Sequence, residues 1–488
     1  MRPRFSAIID DRELPPPEVE RLIGDIQFGD LLRRRRRYLD ELVAAVSGAD
    51  DVTLLRTDEE ADQLVRRIEA ATKDTLWLRL PAVTAPLDMV RLNFLVRKMR
   101  YALEPLLLSD VFDDEAPVAV FSQHAAGLIS SAPGKERRSF LLQLAEEAPV
   151  ASHQVDFIDL RQPESLRQFL SGATEPREFN ELWTDRGVFI KKSNDVAKMR
   201  AESGFFEIAP PEMRRFLLPT FGYEESDGAA SYCMEHLRVP DAALQFMLGA
   251  FSHSQFEQLM DQFFAFVDAR ERESLGFDAV RDCGEAQILQ KMKDRLDDFG
   301  STETGSRIDA HLIAGGIDGG VRGLERRALP LIKTALSSGR IDYLAFSHGD
   351  PCLSNILYDS RIALLRLIDP RGATRRDEAL MHPLYDIAKF SHSVCGGYDF
   401  VNNDLFSIEV DATLGLELQR HRGGSPDWVK KSFRKRLETD GWCYREVRAV
   451  EASLFLSMLP LHLDHERKLL GFALIADEII TELEENDD

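Results

Sequence analysis

One segment, HGDPCLSNILYDSRIALLRLIDPRG at residues 348–372, constrains the fold of this chain more than any other. It contains short apolar runs bounded by turn-prone residues, which is the pattern of strands. We predict one strand just before this segment, YLAFS (343–347), and two within it, NILY (355–358) and IALLRLI (362–368). A small sheet is therefore expected inside a half of the chain that otherwise has helical periodicity.

Three polar side chains fall at the ends of these predicted strands. Asp350 follows the first strand, Asn355 begins the second and Asp369 ends the third. Phosphoryl transfer needs such a set, with one carboxylate at the attacking hydroxyl and oxygen ligands that hold Mg²⁺ against the nucleotide phosphates. The spacing from Asp350 to Asn355 equals that of Asp and Asn in the kinase signature H-R-D-L-x-x-x-N, and Asp369 stands where D-F-G has its metal-binding Asp.

Each of the three residues also has an ordinary structural explanation. Asp350 precedes Pro351 and fits a turn, Asn355 fits a capping position, and Asp369 fits the end of a strand. Their occurrence together, in this order and beside apolar strands, favours the catalytic interpretation.

The pattern HGDxxxxN, followed by a strand and ID, resembles the aminoglycoside phosphotransferase/choline kinase superfamily, and PLYDIAKF (383–390) is similar to its PxYDLA segment. The resemblance implies a two-lobed, protein-kinase-like fold, with ATP as phosphate donor and Mg²⁺ as cofactor. It implies that Asp350 is the catalytic base and that His348 shapes the catalytic loop. Asn355 and Asp369 would bind Mg²⁺.

The same resemblance gives Asp386 a structural role, in which it hydrogen-bonds the catalytic segment. This chain departs from many relatives at IDPRG, because Pro370 has no N–H to donate, so the loop after Asp369 must be held in another way, with Arg371 as the candidate. IDPRG and YDIAKFSHSVCGGYDF (385–400) look most like phosphotransferases associated with capsule or surface-polysaccharide synthesis.

The upstream region offers the remaining parts of a kinase. GVFIKKS (187–193) is a predicted strand that ends in lysines, and KMRAESGFFEI (198–208) is a predicted helix. A strand lysine that binds phosphate oxygens and a helix glutamate that orients it correspond to Lys191 and Glu202. Lys192 is the rival, since adjacent strand residues face opposite sides, and an exposed Lys-Lys pair is the ordinary alternative.

Nucleotide contacts beyond this lysine are less defined by the sequence. SYCMEHL (231–237) is the expected hinge between lobes, where backbone groups would bind an adenine edge at Met234, Glu235 and His236. No G-x-G-x-x-G is present, and LSGATEPREFN (170–180) offers one glycine, with Ser171 as a phosphate contact or an ordinary hairpin residue.

The fold class predicted for the whole chain is α+β. Strand candidates FSAII, VTLL, TLWLRL and VAVF alternate with helical stretches before residue 160, which indicates a parallel α/β, Rossmann-like domain. It loosely resembles a nucleotidyltransferase domain but has DDRELPPP where the glycine-rich loop would be, so we expect a catalytically silent domain, with Asp10 and Asp11 as an alternative metal site. The predicted domains are 1–160, a kinase-like N-lobe with a small antiparallel sheet at 161–240, and a helical C-lobe at 241–488.

The composition of the chain limits the classes of binding partner that we expect. The chain has 488 residues and a formal net charge of -22, which argues against a general nucleic-acid binder. Five separated cysteines without a CxxC pair, no signal-peptide pattern and no apolar run long enough for a membrane span lead us to expect a cytoplasmic protein. The sequence leaves open whether the chain forms a homo-oligomer.

Two motifs invite other functions. RRRRR (33–37) is expected to be a solvated helix rather than a nucleic-acid site, because a helical run points its arginines around more than one turn. His462 and His465 form an HxxH without a further ligand cluster, so a solvated or substrate-cleft turn is favoured over a metal site, and His462 remains a substrate candidate.

These observations predict an ATP- and Mg²⁺-dependent kinase that phosphorylates a hydroxyl of a small molecule, such as a sugar or a surface-polysaccharide intermediate. A nucleotide-binding pseudokinase or scaffold is the first alternative. A bifunctional kinase and nucleotidyltransferase is the second.

Overall fold

The chain divides into two compact units. A computed structural model describes residues 4–33, 36–71, 75–99, 101, 106–107, 119–121, 127–130, 157–170, 180–185, 188–226, 228–237, 239–412 and 414–485. The first unit comprises Met1–Thr174 with Leu248–Ala250, and the second comprises Glu175–Met247 with Phe251–Asp488. The first unit therefore extends past the domain boundary predicted at residue 160.

The first unit is built on a five-stranded sheet of order β4-β1-β5-β8-β7. Its strands are β1 Arg4–Asp10, β2 Leu32–Arg33, β3 Arg36–Arg37, β4 Asp51–Leu55, β5 Thr75–Pro81, β6 Thr84–Pro86, β7 Leu106–Leu107, β8 Ala119–Phe121 and β9 Phe157–Asp159. Its described helices are Pro17–Ile23, Tyr38–Ala45, Asp58–Glu69, Met89–Met99, Gly127–Ser130 and Pro163–Leu170, with a 3-10 turn at Phe28–Asp30. Six of the seven residues of β1 are buried, as expected for a central strand covered on both faces.

The sheet is mixed rather than purely parallel. β1 pairs in parallel with β4 and β5, whereas β8 is antiparallel to both β5 and β7. The four predicted strands are present, but the parallel arrangement holds for three of them only. The narrower Rossmann-like assignment stays a prediction.

Arg33, Arg36 and Arg37, the described residues of the arginine run, lie in strands, so the prediction of a helix is wrong. Arg33 and Arg36 are paired in an antiparallel ladder between β2 and β3, and residues 34–35 lie outside the described chain. The Tyr38 N–H donates to the Leu31 carbonyl at 2.7 Å, and both residues are fully buried. Since a hairpin returns both ends of the run to the core, tertiary burial overrides helix propensity here.

The second unit begins with a four-stranded antiparallel sheet of order β10-β11-β13-β12. Its strands are β10 Asn180–Asp185, β11 Val188–Ser193, β12 Thr220–Ser226 and β13 Ala229–Glu235, and the Glu202 helix is Val196–Ile208. A core of Met199, Leu218, Ala230, Tyr232 and Met234 joins helix and sheet. The antiparallel sheet is as predicted, but RQFL at 167–170 belongs to the helix Pro163–Leu170 and not to a strand.

The rest of the second unit is mainly helical. Its helices are Pro211–Arg214, Ala242–Met247, His253–Ala269, Phe277–Gly284, the π-helix Glu285–Gln290, Lys291–Gly300, Glu303–Ala314, Gly320–Leu336, Leu384–Val394, Tyr398–Asn402, Asp427–Thr439, Tyr444–Met458 and Glu466–Glu485. 3-10 turns occur at Leu353–Asn355, Arg376–Ala379, His421–Gly423 and Leu459–Leu461. No helix in the described ranges is both long and apolar enough to cross a membrane.

Short strands interrupt these helices. They are β14 Arg272–Ser274, β15 Tyr343–Phe346, β16 Ile356–Asp359, β17 Leu364–Leu367, β18 Leu380–Met381, β19 Phe406–Val410 and β20 Leu416–Arg420. β15, β16 and β17 are the three strands predicted just before and within residues 348–372. β16 and β17 form an antiparallel hairpin, and β15 lies in a separate sheet between β14 and β18.

Candidate active site

Lys191 lies on β11 and pairs with Glu202 on the following helix. Its Nζ is 2.7 Å from Glu202 Oε2, and the two side chains are 3% and 2% exposed. Tyr232, the cross-strand neighbour of Lys191 on β13, donates its hydroxyl to the same Oε2 at 3.0 Å. Burial by itself lowers the pKa of Lys191, but Asp369 and Glu202 outweigh it, so the pKa is raised and the ammonium stays charged. Lys192 is exposed, as strand alternation requires.

Asp369, which follows the β16–β17 hairpin, also binds Lys191. Its Oδ1 accepts a hydrogen bond from Lys191 Nζ at 3.0 Å across 178 sequence positions. The backbone of Asp369 has φ +54°, a left-handed conformation that is uncommon for a non-glycine residue, and the side chain is 42% exposed. Strained backbone of this kind clusters at functional sites, where the surrounding structure holds it in place.

Asp386 fixes the loop that carries Asp350. Its carboxylate is fully buried and accepts hydrogen bonds from the N–H groups of His348 at 3.1 Å and Gly349 at 2.8 Å. Arg270 donates to the same carboxylate at 3.2 Å. The hydrogen bonds predicted for Asp386 are therefore present, and Gly349 with φ +81° supplies the turn.

His348 and Asn355 hold the Asp350 loop from within. The Asp350 N–H donates to His348 Nδ1 at 3.3 Å, and Asn355 Nδ2 donates to the Asp350 carbonyl at 2.9 Å. Burial lowers the pKa of His348, and Asp386 only partly offsets this, so the imidazole is neutral and can accept. Because the His348 ring is 0% exposed, its part is to position the loop and not to contact a substrate.

The loop after Asp369 is held by backbone groups. The Arg371 N–H donates to the His348 carbonyl at 2.9 Å, and the Ala373 N–H donates to the Ala201 carbonyl on the Glu202 helix at 3.2 Å. Gly372 has φ +83°, and a Cβ there would lie 2.8 Å from backbone atoms of that helix. Arg371 therefore does hold this loop, through its main chain, and Pro370 leaves no missing bond to replace.

The donor atoms present suit a hard cation. Asp369 offers a half-exposed carboxylate, and Asn355, whose Nδ2 is already donating, offers an amide oxygen. Carboxylate and amide oxygens are ligands for Mg²⁺, which keeps several waters and takes phosphate oxygens as further ligands. The described residues contain no group of three or more His, Cys, Asp or Glu placed to hold a metal.

Comparison with solved structures finds aminoglycoside phosphotransferase APH(4)-Ia. The apo form of a thermostable mutant is 11% identical with a TM-score of 0.37, covering 63% of this chain and 92% of that one. The ternary complex of a further variant with ADP and hygromycin B is 12% identical with a TM-score of 0.38, covering 62% and 94%. No family model and no curated protein matches the chain.

These solved structures belong to the superfamily that the sequence motifs resemble. With TM-scores below 0.5, these structures carry no argument for the function proposed below, which rests on the side-chain geometry and the sequence motifs. The narrower likeness to capsule-associated enzymes stays a prediction.

Lys389 is a site residue that the motifs did not single out. Its Nζ is 3.0 Å from Asp350 Oδ1, and its side chain is 15% exposed. Burial by itself lowers the pKa of Lys389, but Asp350 raises it above its ordinary value. A lysine inside DIAKFSHSV, a helix whose other residues are almost all buried, was the available signal.

The residues predicted to contact the nucleotide lie in different environments. Met234 is buried, Glu235 is exposed and His236 is half-buried, with Met234 and Glu235 on β13 and His236 just beyond its end. The Glu235 carbonyl accepts from the Leu237 N–H at 3.0 Å, so one of its lone pairs is already in use. Ser171 lies outside the described residues. Adenine binding at these positions stays a prediction.

Two alternative metal sites are not supported. Asp10 is bound by Arg79 at 2.7 Å and by Arg12 at 2.8 Å, and Asp11 accepts from the Gly29 N–H and from Arg56. In the HxxH motif, the His462 ring packs 5.2 Å from the Phe472 ring, in a solvated turn.

Proposed function

We propose that this chain is a small-molecule kinase that transfers the γ-phosphoryl group of ATP to a hydroxyl. The observation that carries the proposal is the convergence of Lys191, Glu202 and Asp369 beside a loop that presents Asp350. Phosphoryl transfer depends on positioning and charge stabilisation rather than on covalent chemistry by the protein, and this arrangement provides both.

In this proposal each side chain has one role. Glu202 keeps Lys191 oriented, and Lys191 binds α- and β-phosphate oxygens, exchanging its contact with Asp369 for a contact with the nucleotide. Asp350 accepts the proton of the acceptor hydroxyl, whose oxygen forms the new O–P bond as the bond from the γ-phosphorus to the β,γ-bridging oxygen breaks and ADP leaves. Asn355 and Asp369 would hold Mg²⁺, which neutralises charge on the transferred phosphoryl group.

We further propose that residues up to about 240 in the second unit form the N-lobe and that residues from 241 form the C-lobe. Nucleotide would lie against β11 and β13, with the backbone of Met234, Glu235 and His236 at the adenine edge. A sugar or a surface-polysaccharide intermediate is the acceptor class that the resemblance favours.

The test is ADP release from ATP and Mg²⁺ across monosaccharides, amino alcohols and aminoglycosides, with wild type and Asp350→Ala. We expect acceptor-dependent turnover that falls by roughly 10²–10⁴-fold in the variant. Asp377→Asn, an exposed carboxylate on the turn after the site, is the matched control. Nucleotide binding without turnover on any acceptor would instead favour the pseudokinase, and pyrophosphate release would favour the bifunctional enzyme.

A further inference from the structure

A cluster of basic side chains surrounds Tyr385 next to the Asp350 loop. We call Lys291, Arg371, Lys389 and Tyr385 the Tyr385 cluster. Lys291 Nζ is 3.3 Å from the Tyr385 hydroxyl and 5.5 Å from its ring centroid. Lys389, one helical turn after Tyr385, lies 3.0 Å from Asp350.

Arg371 completes the cluster from the loop after Asp369. Its side chain lies over Gly349, where an added Cβ would be 2.7 Å from the Arg371 Cβ. Burial by itself raises the pKa of Tyr385, but the charges of Lys389, Lys291 and Arg371 outweigh it, so the pKa is lowered.

Two of these cations lack a carboxylate. Among the described residues, neither Lys291 nor Arg371 has an acidic side chain within ion-pair distance, whereas Lys389 is paired with Asp350. Burial, together with the neighbouring Arg371 and Arg295, lowers the pKa of Lys291. Lys291 is half-buried and Arg371 is exposed. A half-buried positive charge without an acidic partner is costly, and a bound anion relieves that cost.

The backbone before Lys291 and the contacts of that backbone fix the position of Lys291. The six-residue π-helix Glu285–Gln290 ends immediately before it, and such wide turns occur frequently at functional sites. Gln287 in this π-helix donates to the Leu380 carbonyl at 2.9 Å and accepts from the His382 N–H at 3.1 Å. These bonds tie the Lys291 helix to the segment that leads into Tyr385.

We propose that the Tyr385 cluster is an acceptor subsite that binds an oxyanion, either a phosphate or a carboxylate, carried by the hydroxyl compound that is phosphorylated. Lys389 is paired with Asp350, whereas Lys291 and Arg371 add positive charge that no acidic side chain among the described residues offsets at ion-pair distance, in a chain of net charge -22. The location beside Asp350 places the anion of the acceptor near its reacting hydroxyl. The assignment to an acceptor rests on the proposed phosphotransferase function.

The first test measures binding of inorganic phosphate to the full chain saturated with Mg²⁺ and AMP-PNP, which fills the nucleotide phosphate positions. Chloride keeps the ionic strength constant. We expect saturable phosphate binding that weakens roughly tenfold or more in Lys291→Gln and in Arg371→Gln, because each loses a charge-assisted hydrogen bond. Lys333→Gln, on an exposed helix surface, is the matched control and should bind phosphate as wild type does.

The second test compares turnover of glucose, glucose 6-phosphate and glucuronate, and of matched sets from other hexoses. We expect turnover to favour the anionic member of a set, and KM for it to rise in Lys291→Gln while KM for ATP is unchanged. The turnover of the phosphate-bearing sugar relative to that of the carboxylate-bearing sugar then identifies the preferred oxyanion.

Three results would overturn the inference. They are no phosphate binding in wild type, equal phosphate affinity in wild type and Lys291→Gln, or a neutral acceptor turned over with unchanged kinetics in that variant. Loss of AMP-PNP binding in the same variant would assign the cluster to the nucleotide instead. Failure of the proposed kinase function is distinct, because it shows as no turnover of any acceptor by the wild type, whether or not phosphate binds to the Tyr385 cluster.

Discussion

Acidic residues at strand ends occur in both units of this chain, but their surroundings differ. In the first unit, Asp10 ends β1 with its side chain 4% exposed and bound by two arginines. In the second, Asp369 follows β17 with its side chain 42% exposed and bound by one lysine. Asp350 is 28% exposed and is also paired with a lysine.

The comparison separates a structural acid from one that can act on a ligand. A buried carboxylate bound by two guanidinium groups has its acceptor positions satisfied and is expensive to open. A partly exposed carboxylate beside a single ammonium can exchange that partner for a phosphate or a metal ion. Sequence position alone, an Asp after an apolar strand, does not distinguish the two.

The largest effect that we expect is on folding of the first unit. Asp10→Asn removes the buried carboxylate that binds Arg79, which is 1% exposed. We predict a loss of about 3–5 kcal/mol in local unfolding free energy, measured by hydrogen exchange of the β1 and β5 amides. Asp58→Asn is the matched control, since Asp58 contacts the same Arg12 at 3.3 Å but is 98% exposed. Equal effects of the two substitutions would contradict a structural role for Asp10.

A smaller effect is expected on nucleotide affinity. Lys191→Gln removes the charge that Glu202 and Asp369 hold, and we predict AMP-PNP binding weaker by roughly 10–100-fold, because a hydrogen bond from a charged group is lost. Lys192→Gln, at the adjacent and exposed position, should leave the affinity within about twofold. If both variants bound alike, Lys191 would not be the phosphate ligand. Calorimetric titration measures both.

The carboxylate of Asp399 adds a further contrast, because it is fully buried and forms no ion pair among the described residues. Asp399 is 0% exposed, and burial raises its pKa to about 7, with Asp241 and Asp350 raising it further. Between about pH 4 and pH 7 the folded state holds a proton that the unfolded state releases, so stability falls as pH rises through that range.

Asp399→Asn removes this titration. We predict that the unfolding free energy of the variant, relative to wild type, increases by roughly 1–2 kcal/mol from pH 4 to pH 7, measured by denaturant unfolding at each pH. Asp427→Asn, at an exposed helix start, is the control. A difference between Asp399→Asn and wild type that stays constant with pH would show that Asp399 is ionised throughout the range.

Local patterns predicted much of the candidate site because the chemistry depended on strand alternation and short loops. Alternation along β11 predicted that Lys191 and Lys192 face opposite sides, and the structure buries Lys191 and exposes Lys192. A single hairpin connects Asn355 with Asp369. The kinase-like interpretation of residues 348–372 needed no long-range information. Function follows from it only as a proposal.

Long-range packing explains what the patterns missed. The ladder that pairs Tyr232 with Lys191, and the packing that brings Lys389 to Asp350, join segments that sequence reasoning treats separately. Helix propensity predicts a helix for the arginine run at 33–37. The sequence pattern does not reveal that Leu31 and Tyr38, on either side of the run, are buried. The phosphate-loop prediction at Ser171 lies outside the described residues.

The most direct test of the central claim, that Asp369 and Asn355 form a metal-dependent phosphate site, is the effect of Mg²⁺ on AMP-PNP affinity. In wild type and in the exposed-site control Asp377→Asn, we predict that Mg²⁺ tightens binding by roughly tenfold or more, and that Asp369→Asn loses this gain. The account is contradicted if Asp369→Asn keeps the full gain from Mg²⁺.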